Sequence, residues 1–165
     1  MIWAICAAPI LAAVEEPAGP APQLVHLEQT LTRKQEARDK GELTPEKYDE
    51  FVSTFRAELG AVMARLSQTP DNKGLHAQIL ARLDEQERGW ALASLESALI
   101  ETPGNPALLV SKGSILYEQK DYPAAAESAR RAWEASGRTD RRAWALLKMS
   151  EGRTAGQKAA SPRRG

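Results

Sequence analysis

Apolar residues recur at spacings of three and four along most of the chain, and this pattern predicts amphipathic helices. The clearest stripe belongs to the segment from Pro45 to Ser67. Thr44, Pro45 and Glu46 begin it with a capping hydroxyl, a proline at the first helical position and an acid at the positive end of the helix dipole. No segment alternates convincingly with period two, so the chain is predicted to be all-α. The stripe consists of Tyr48, Phe51, Val52, Phe55, Leu59, Val62, Met63 and Leu66.

Six further helices are predicted around this one, which gives seven in total. The residues TPDNKG end the long helix, and EQERGW is predicted to break the helical pattern between the next two. A turn at KDY joins the two members of a later hairpin. The six segments are Gln23 to Gly41, Leu75 to Leu83, Ala91 to Leu99, Pro106 to Gln119, Pro123 to Ala135 and RTDRRAWALLKMSEG.

The first 22 residues differ in composition from the rest. Residues 1–14 carry no charged side chain, but about 20 apolar residues are needed to cross a bilayer. We expect a secretory signal peptide or an N-terminal apolar anchor here, followed by a Pro-rich linker at residues 15–22. Cys6 is the only cysteine, so cleavage near Ala13 would leave a product without a thiol. The expected location is therefore the bacterial periplasm or the extracellular space, with a membrane-tethered or cytoplasmic protein as the alternative.

Charge is unevenly distributed along the chain. The 22 basic and 22 acidic residues give a net charge of zero, yet residues 138–165 hold eight basic and two acidic side chains. We expect a disordered basic tail at residues 152–165. The tail has no aromatic residue on which a base could stack, so nucleic acid is not an expected partner.

Small residues recur with a period of 34 residues at Ala91 and Ala125 and at Ala98 and Ala132. In residues 106–139 they include Gly113 and Ala125, with Leu109 four residues before the glycine. In residues 72–105 the matching positions are occupied by Leu75, Ala91, Leu95, Ala98 and Pro103, and a half-repeat begins near Trp144 and Leu147. Small residues at these positions allow two helices to approach closely, which makes Gly113 a packing glycine.

On these residues the chain resembles the tetratricopeptide-repeat (TPR) family, which has a period of 34 residues. The resemblance implies an N-terminal helical hairpin at residues 23–70, followed at residues 71–151 by a TPR-like α-solenoid of about two and a half repeats. Residues 41–59 are also similar to the helical segment that precedes the repeats in the TPR subunit of bacterial cytochrome c maturation.

In the TPR family, the first helices of successive repeats line a groove that binds an extended or helical peptide. The resemblance implies that an amphipathic helix or an apolar peptide binds here, because the basic clamp of carboxylate-binding members is missing. Alternatively, the first two helices cover these apolar residues. The implied groove residues are Lys73, His76, Leu80, Leu83, Asp84, Ala107, Val110, Ser114, Tyr117 and Glu118.

No catalytic constellation is apparent in the sequence. His26 and His76 lie on different predicted helices, without the neighbours that a zinc site or a hydrolase triad needs. We expect no enzyme activity, metal or cofactor, and predict a non-catalytic adaptor or scaffold that binds a protein or peptide. A homodimer formed by stacking of repeats is also considered. The alternatives are a helical carrier segment of a longer effector or enzyme, and a membrane-tethered assembly factor.

Overall fold

The computed structural model describes residues 19–83 and 85–160, without the side chains of residues 85, 86 and 158–160. This part of the chain contains seven α-helices and no strand, which confirms the all-α class. The predicted signal peptide, most of the linker and Asp84 lie outside the described residues. The helices are α1 (Pro22–Asp39), α2 (Pro45–Met63), α3 (Pro70–Ala81), α4 (Glu85–Glu101), α5 (Pro106–Glu118), α6 (Tyr122–Ala135) and α7 (Arg141–Ala160).

Side-chain caps determine where four of the helices begin. The hydroxyls of Thr44 and Thr69, the amide of Asn105 and the carboxylate of Asp121 each accept a hydrogen bond from the backbone N–H three residues later. Thr69 caps α3 and Pro70 is its first residue, so one sequence prediction is wrong. The residues TPDNKG begin α3, whereas α2 has already ended at Met63.

Two other predicted helix boundaries are wrong. The supposed break at EQERGW is helical, since α4 begins at Glu85. Gly89 lies inside this helix with no atom near its missing side chain, and a single glycine costs a helix only about 1 kcal/mol. The helix α7 continues to Ala160, so residues 152–160 are helical, whereas the sequence predicts a disordered tail from residue 152.

The helices pack in two ways. Most neighbours along the chain pack as hairpins, although α2 and α3 do not, and the most extensive contacts join α3 to α4, α5 to α6 and α6 to α7. Each odd-numbered helix also contacts the next odd-numbered one, from α1 to α3, α5 and α7. The helix α1 runs in the same direction as α3, because Ala21 is hydrogen-bonded to Asn72 and Gln35 to Arg82. The odd-numbered helices therefore form a continuous row.

One large apolar core joins the first five helices. Its fully buried members come from every one of them, so the N-terminal hairpin is part of the same body as the later helices. Two smaller clusters, around Leu109 and around Leu146, connect α5 and α6 with α7. The largest buried side chains of the main core are Leu24, Leu31, Phe55, Leu59, Ile79, Leu95, Leu108 and Ile115.

Gly113 occupies the closest approach of α5 to α6 and α7, which confirms the packing role predicted from the sequence. A Cβ atom at this position would lie 2.9 Å from Leu146 Cδ2 and 3.3 Å from the Ala125 carbonyl oxygen. Gly60 in α2 has no atom within 4 Å of such a Cβ. The two helical glycines therefore differ in their surroundings, although the sequence places both inside helices.

We expect alanine to act in opposite directions at these two glycines. Gly60→Ala should raise the free energy of unfolding by about 0.5–1 kcal/mol, because alanine loses less backbone entropy in a helix. Gly113→Ala should lower it by about 1 kcal/mol or more, because overpacking exceeds that gain. Urea titrations of both variants measure the effect, and a stabilised Gly113→Ala variant would show that α5 is not held close to α6.

Candidate binding groove

A groove of about 340 Å³ lies between the four odd-numbered helices. Every odd-numbered helix contributes to its walls, and the even-numbered helices do not line it. The lining residues are Pro20, Val25 and Glu28 at α1, Asp71, Leu75 and Gln78 from α3, Ala107, Val110, Ser111 and Ser114 from α5, and Arg142, Ala145, Leu146 and Met149 from α7.

The floor of the groove is built from small side chains. Ser111 Oγ accepts a hydrogen bond from Gln78 Nε2 at 2.8 Å and donates to the Ala107 carbonyl at 2.9 Å. Gly74 lies directly against Ser111, and any side chain there would collide with the serine hydroxyl. The helices α3 and α5 are therefore packed closely against each other at the floor of the groove.

The rim of the groove combines apolar and charged side chains. Met149 is 51% exposed beside the buried Leu146, so apolar surface faces solvent here. At the end where α3 and α7 begin, Arg142 approaches Asp71 at 4.0 Å. Glu28 approaches Arg82 at 3.9 Å. Such loose surface pairs contribute about 0–1 kcal/mol, so they can exchange partners at little cost.

Hydrogen bonds hold α1 against α3 and so define one wall. The Arg82 guanidinium donates to Thr32 Oγ1 at 3.0 Å and to Gln35 Oε1 at 2.6 Å, and Gln35 Nε2 returns a bond to the Arg82 carbonyl. Near the other end, Asn72 Oδ1 accepts from the Ala21 backbone N–H at 2.7 Å. Hydrogen bonds therefore join α1 to α3 at both ends of α3.

Comparisons with known proteins give no match. Neither a protein-family model, nor a curated protein, nor a solved structure matches this chain. The binding chemistry is therefore inferred from the geometry of the groove. Within the described residues, no group of three or more histidine, cysteine, aspartate and glutamate side chains could hold a metal ion. Of the helices described, none has both the length and the apolar character needed to cross a membrane.

The structure separates the residues that the resemblance placed in one groove. Val110, Ser114 and the neighbouring Ala107 line the observed groove. Leu80 and Leu83 are instead buried in the main core, so these two assignments are wrong. Asp84 lies outside the described residues.

The remaining four predicted residues lie elsewhere. Lys73 and His76 line a different depression between α2, α3 and α4. Tyr117 packs beside Tyr122, with ring centroids 5.1 Å apart, and accepts a hydrogen bond from Arg153 Nε at 3.4 Å. Glu118 is exposed at the end of α5. None of the four lines the groove.

A two-residue difference in spacing accounts for the errors on α3. The ends of α4 and α6, Glu101 and Ala135, are 34 residues apart, which equals the spacing used in the sequence prediction. The starts of α3 and α5, Pro70 and Pro106, are 36 residues apart. Two residues correspond to about 200° around a helix, so the residues carried over to α3 at a spacing of 34 face away from the groove.

Lys73 and His76 line a depression that is separate from the groove and has a volume of about 650 Å³. His76 meets the edge of Trp90, with ring centroids 6.4 Å apart, and Met63 and Ser94 also line it. Burial lowers the pKa of His76 below its ordinary value, because the cationic ring loses solvation. His76 is therefore a partly buried packing residue on the opposite side of α3.

Protonation of His76 should destabilise the fold. Because its pKa is lower in the folded protein, the unfolded chain binds this proton more tightly. The His76 contribution is fully present above the unfolded pKa of about 6.5, and it is lost as the pH falls through the folded pKa. His76→Gln should flatten the fall in unfolding free energy between pH 7 and pH 5. His26→Gln, which changes the exposed histidine of α1, is the control, and equal slopes in both variants would contradict the assignment.

Proposed function

We propose that this protein is a non-catalytic, TPR-like interaction module that binds a peptide or helix in the groove of its odd-numbered helices. The observation that carries the proposal is the groove itself, which all four odd-numbered helices line while Met149 leaves apolar surface exposed. The alternating contacts and the close approach at Gly113 support a repeat arrangement. Export through residues 1–14 remains part of the proposal.

The dimensions of the groove limit what it can bind. Its lining residues extend from Ala107 to Ser114 on α5 and from Arg142 to Met149 on α7. Each interval is seven residues of helix, or about 10 Å along the axis. About two turns of a helix or three to four residues of extended peptide fit this length.

The chemistry of the lining favours an occupant with apolar side chains. Val110, Leu75 and Leu146 supply apolar walls, whereas Ser111 and Gln78 already satisfy each other through a hydrogen bond. A charged group seated over this floor would lose solvation without a dedicated partner. We therefore propose an amphipathic helix or an apolar peptide, with its charged residues outside the groove.

Two alanines on α7 allow a matched test. Ala145 lines the groove and Ala155 does not, yet both are exposed on the same helix. Peptides selected by display against the full chain, and against a chain that begins at Gly19, are titrated onto variants carrying Ala145→Glu or Ala155→Glu. The first variant should weaken binding at least about tenfold and the second should leave it unchanged. Equal affinities of the two variants would overturn the proposal.

A further inference from the structure

The described chain begins at one end of the groove. Pro20 lines the groove next to Asp71 and Arg142. Ala21 is held at this point by its hydrogen bond to Asn72, which is only 5% exposed. The amide of Asn72 is fixed in turn because its Nδ2 donates to the Ser67 carbonyl at 2.9 Å. The residues before Pro20 therefore start from a fixed point at the opening of the groove.

The length of the preceding chain is sufficient to fill the groove. Residues 15–19 extend to at most about 17 Å, and the groove is about 10 Å long. Met1 to Val14 can thus return over the floor while its end stays attached at Pro20. A short tether of this kind gives an effective concentration in the millimolar range, so even a weak contact would be substantially occupied.

The chemistry of this segment complements the groove. Met1 to Val14 has no charged side chain, which suits the apolar part of the lining around Val110 and Leu146, and it contains small alanines that suit a narrow floor. Glu15 and Glu16 come next. They are five and four residues before Pro20, which lines the same end of the groove as Arg142. The Arg142 side chain is 61% exposed, but it already pairs with Asp140 at 3.5 Å and with Asp71 at 4.0 Å, so Glu15 and Glu16 would compete with these two acids for it.

We propose that part of residues 1–14, about two helical turns or three to four extended residues of it, binds in the groove of its own chain, so that the groove is occupied until this segment is displaced or removed. The inference rests on the proposed function and names the first occupant of the same site. In an exported protein, cleavage near Ala13 would then free the groove for its partner. Occupancy of the groove is thereby linked to processing of the N-terminus.

Cys6 provides a direct test, because it is the only cysteine in the chain. A second cysteine is introduced in the full-length protein by Ala145→Cys in the groove or by Ala155→Cys about 15 Å away along α7. Both proteins are oxidised mildly at low concentration, and the disulfide is followed by non-reducing electrophoresis and mass spectrometry. Circular dichroism checks that each variant has kept its helices.

We expect the Cys6 disulfide within one chain to form at least about tenfold faster with Ala145→Cys than with Ala155→Cys. Equal rates would overturn the inference. A disulfide formed only between two chains would also overturn it and would identify a second copy as the occupant. If the disulfide rates are equal but Ala145→Glu still weakens peptide binding, the proposed function stands without this occupant. If Ala145→Glu also has no effect, both proposals are wrong.

Discussion

Phe55→Ala is expected to lower the free energy of unfolding by about 3–5 kcal/mol, the largest loss that we predict for a single substitution. Phe55 is 1% exposed and belongs to the main core, in which α2 packs with α1, α3, α4 and α5. Its ring lies 5.3 Å from that of Phe51, an aromatic contact that alanine cannot make. Removal of the ring leaves a cavity that the surrounding helices fill only in part.

The neighbouring Thr54 is the control for this substitution. It is exposed, and its hydroxyl donates only to the Glu50 carbonyl in the same helix. Thr54→Ala should therefore change the unfolding free energy by no more than about 0.5 kcal/mol. Urea titrations of both variants give the comparison. A loss below about 1 kcal/mol for Phe55→Ala would mean that α2 does not pack against the other helices as described.

Arg82→Ala is expected to lower the free energy of unfolding by about 2–3 kcal/mol, the second largest loss. Its guanidinium bonds to both Thr32 and Gln35, and its side chain is 20% exposed, so solvent screens these bonds only in part. Truncation leaves Gln35 Oε1 without its charged donor at the junction of α1 and α3. Arg82→Lys should recover part of the loss, because one ammonium group cannot reproduce both bonds in the same geometry.

Arg82→Ala should also weaken one part of the fold more than the others. Because Arg82 joins α1 to α3, amide hydrogen exchange in Arg82→Ala should accelerate most in residues 22–39. Arg65→Ala, which removes an exposed arginine just after α2, is the control and should leave these rates unchanged. Uniform acceleration over all seven helices would contradict a local role in fastening α1.

Much of the fold follows from local sequence. The stripe that contains Phe55 and Leu59 predicts α2 because apolar residues spaced by three and four lie on one face of a helix. Gly113 marks a close approach because a side chain at this position would press on Leu146 and on the Ala125 carbonyl. The polar first turn of α4 was missed because it carries no apolar periodicity to extend the helix back to Glu85. The second half of α7 was missed for a similar reason, since its small and basic residues resemble a disordered tail.

The groove was predicted less completely than the helices. Val110 and Ser114, which the resemblance implies as groove residues, line the observed groove, whereas Lys73 and His76 lie elsewhere because the starts of α3 and α5 are 36 and not 34 residues apart. The contribution of α1 was missed because the repeat resemblance began after it. Val25 and Glu28 flank the buried stripe of Leu24, Leu27 and Leu31, so a wider search of that helix could have identified them.

The groove is tested most directly by the methyl signals of methionine. The chain contains three methionines, of which Met149 lines the groove and Met63 lines the separate depression next to His76. The full-length protein and the chain that begins at Gly19 are labelled with ¹³C in the methionine methyl groups, and spectra of both are recorded with increasing amounts of a selected peptide. Met149→Leu and Met63→Leu assign the signals. We predict that the Met149 signal shifts in proportion to binding while the Met63 signal stays in place. Movement of Met63 with an unchanged Met149 would contradict a functional groove on the odd-numbered helices and would locate the binding surface between α2 and α4.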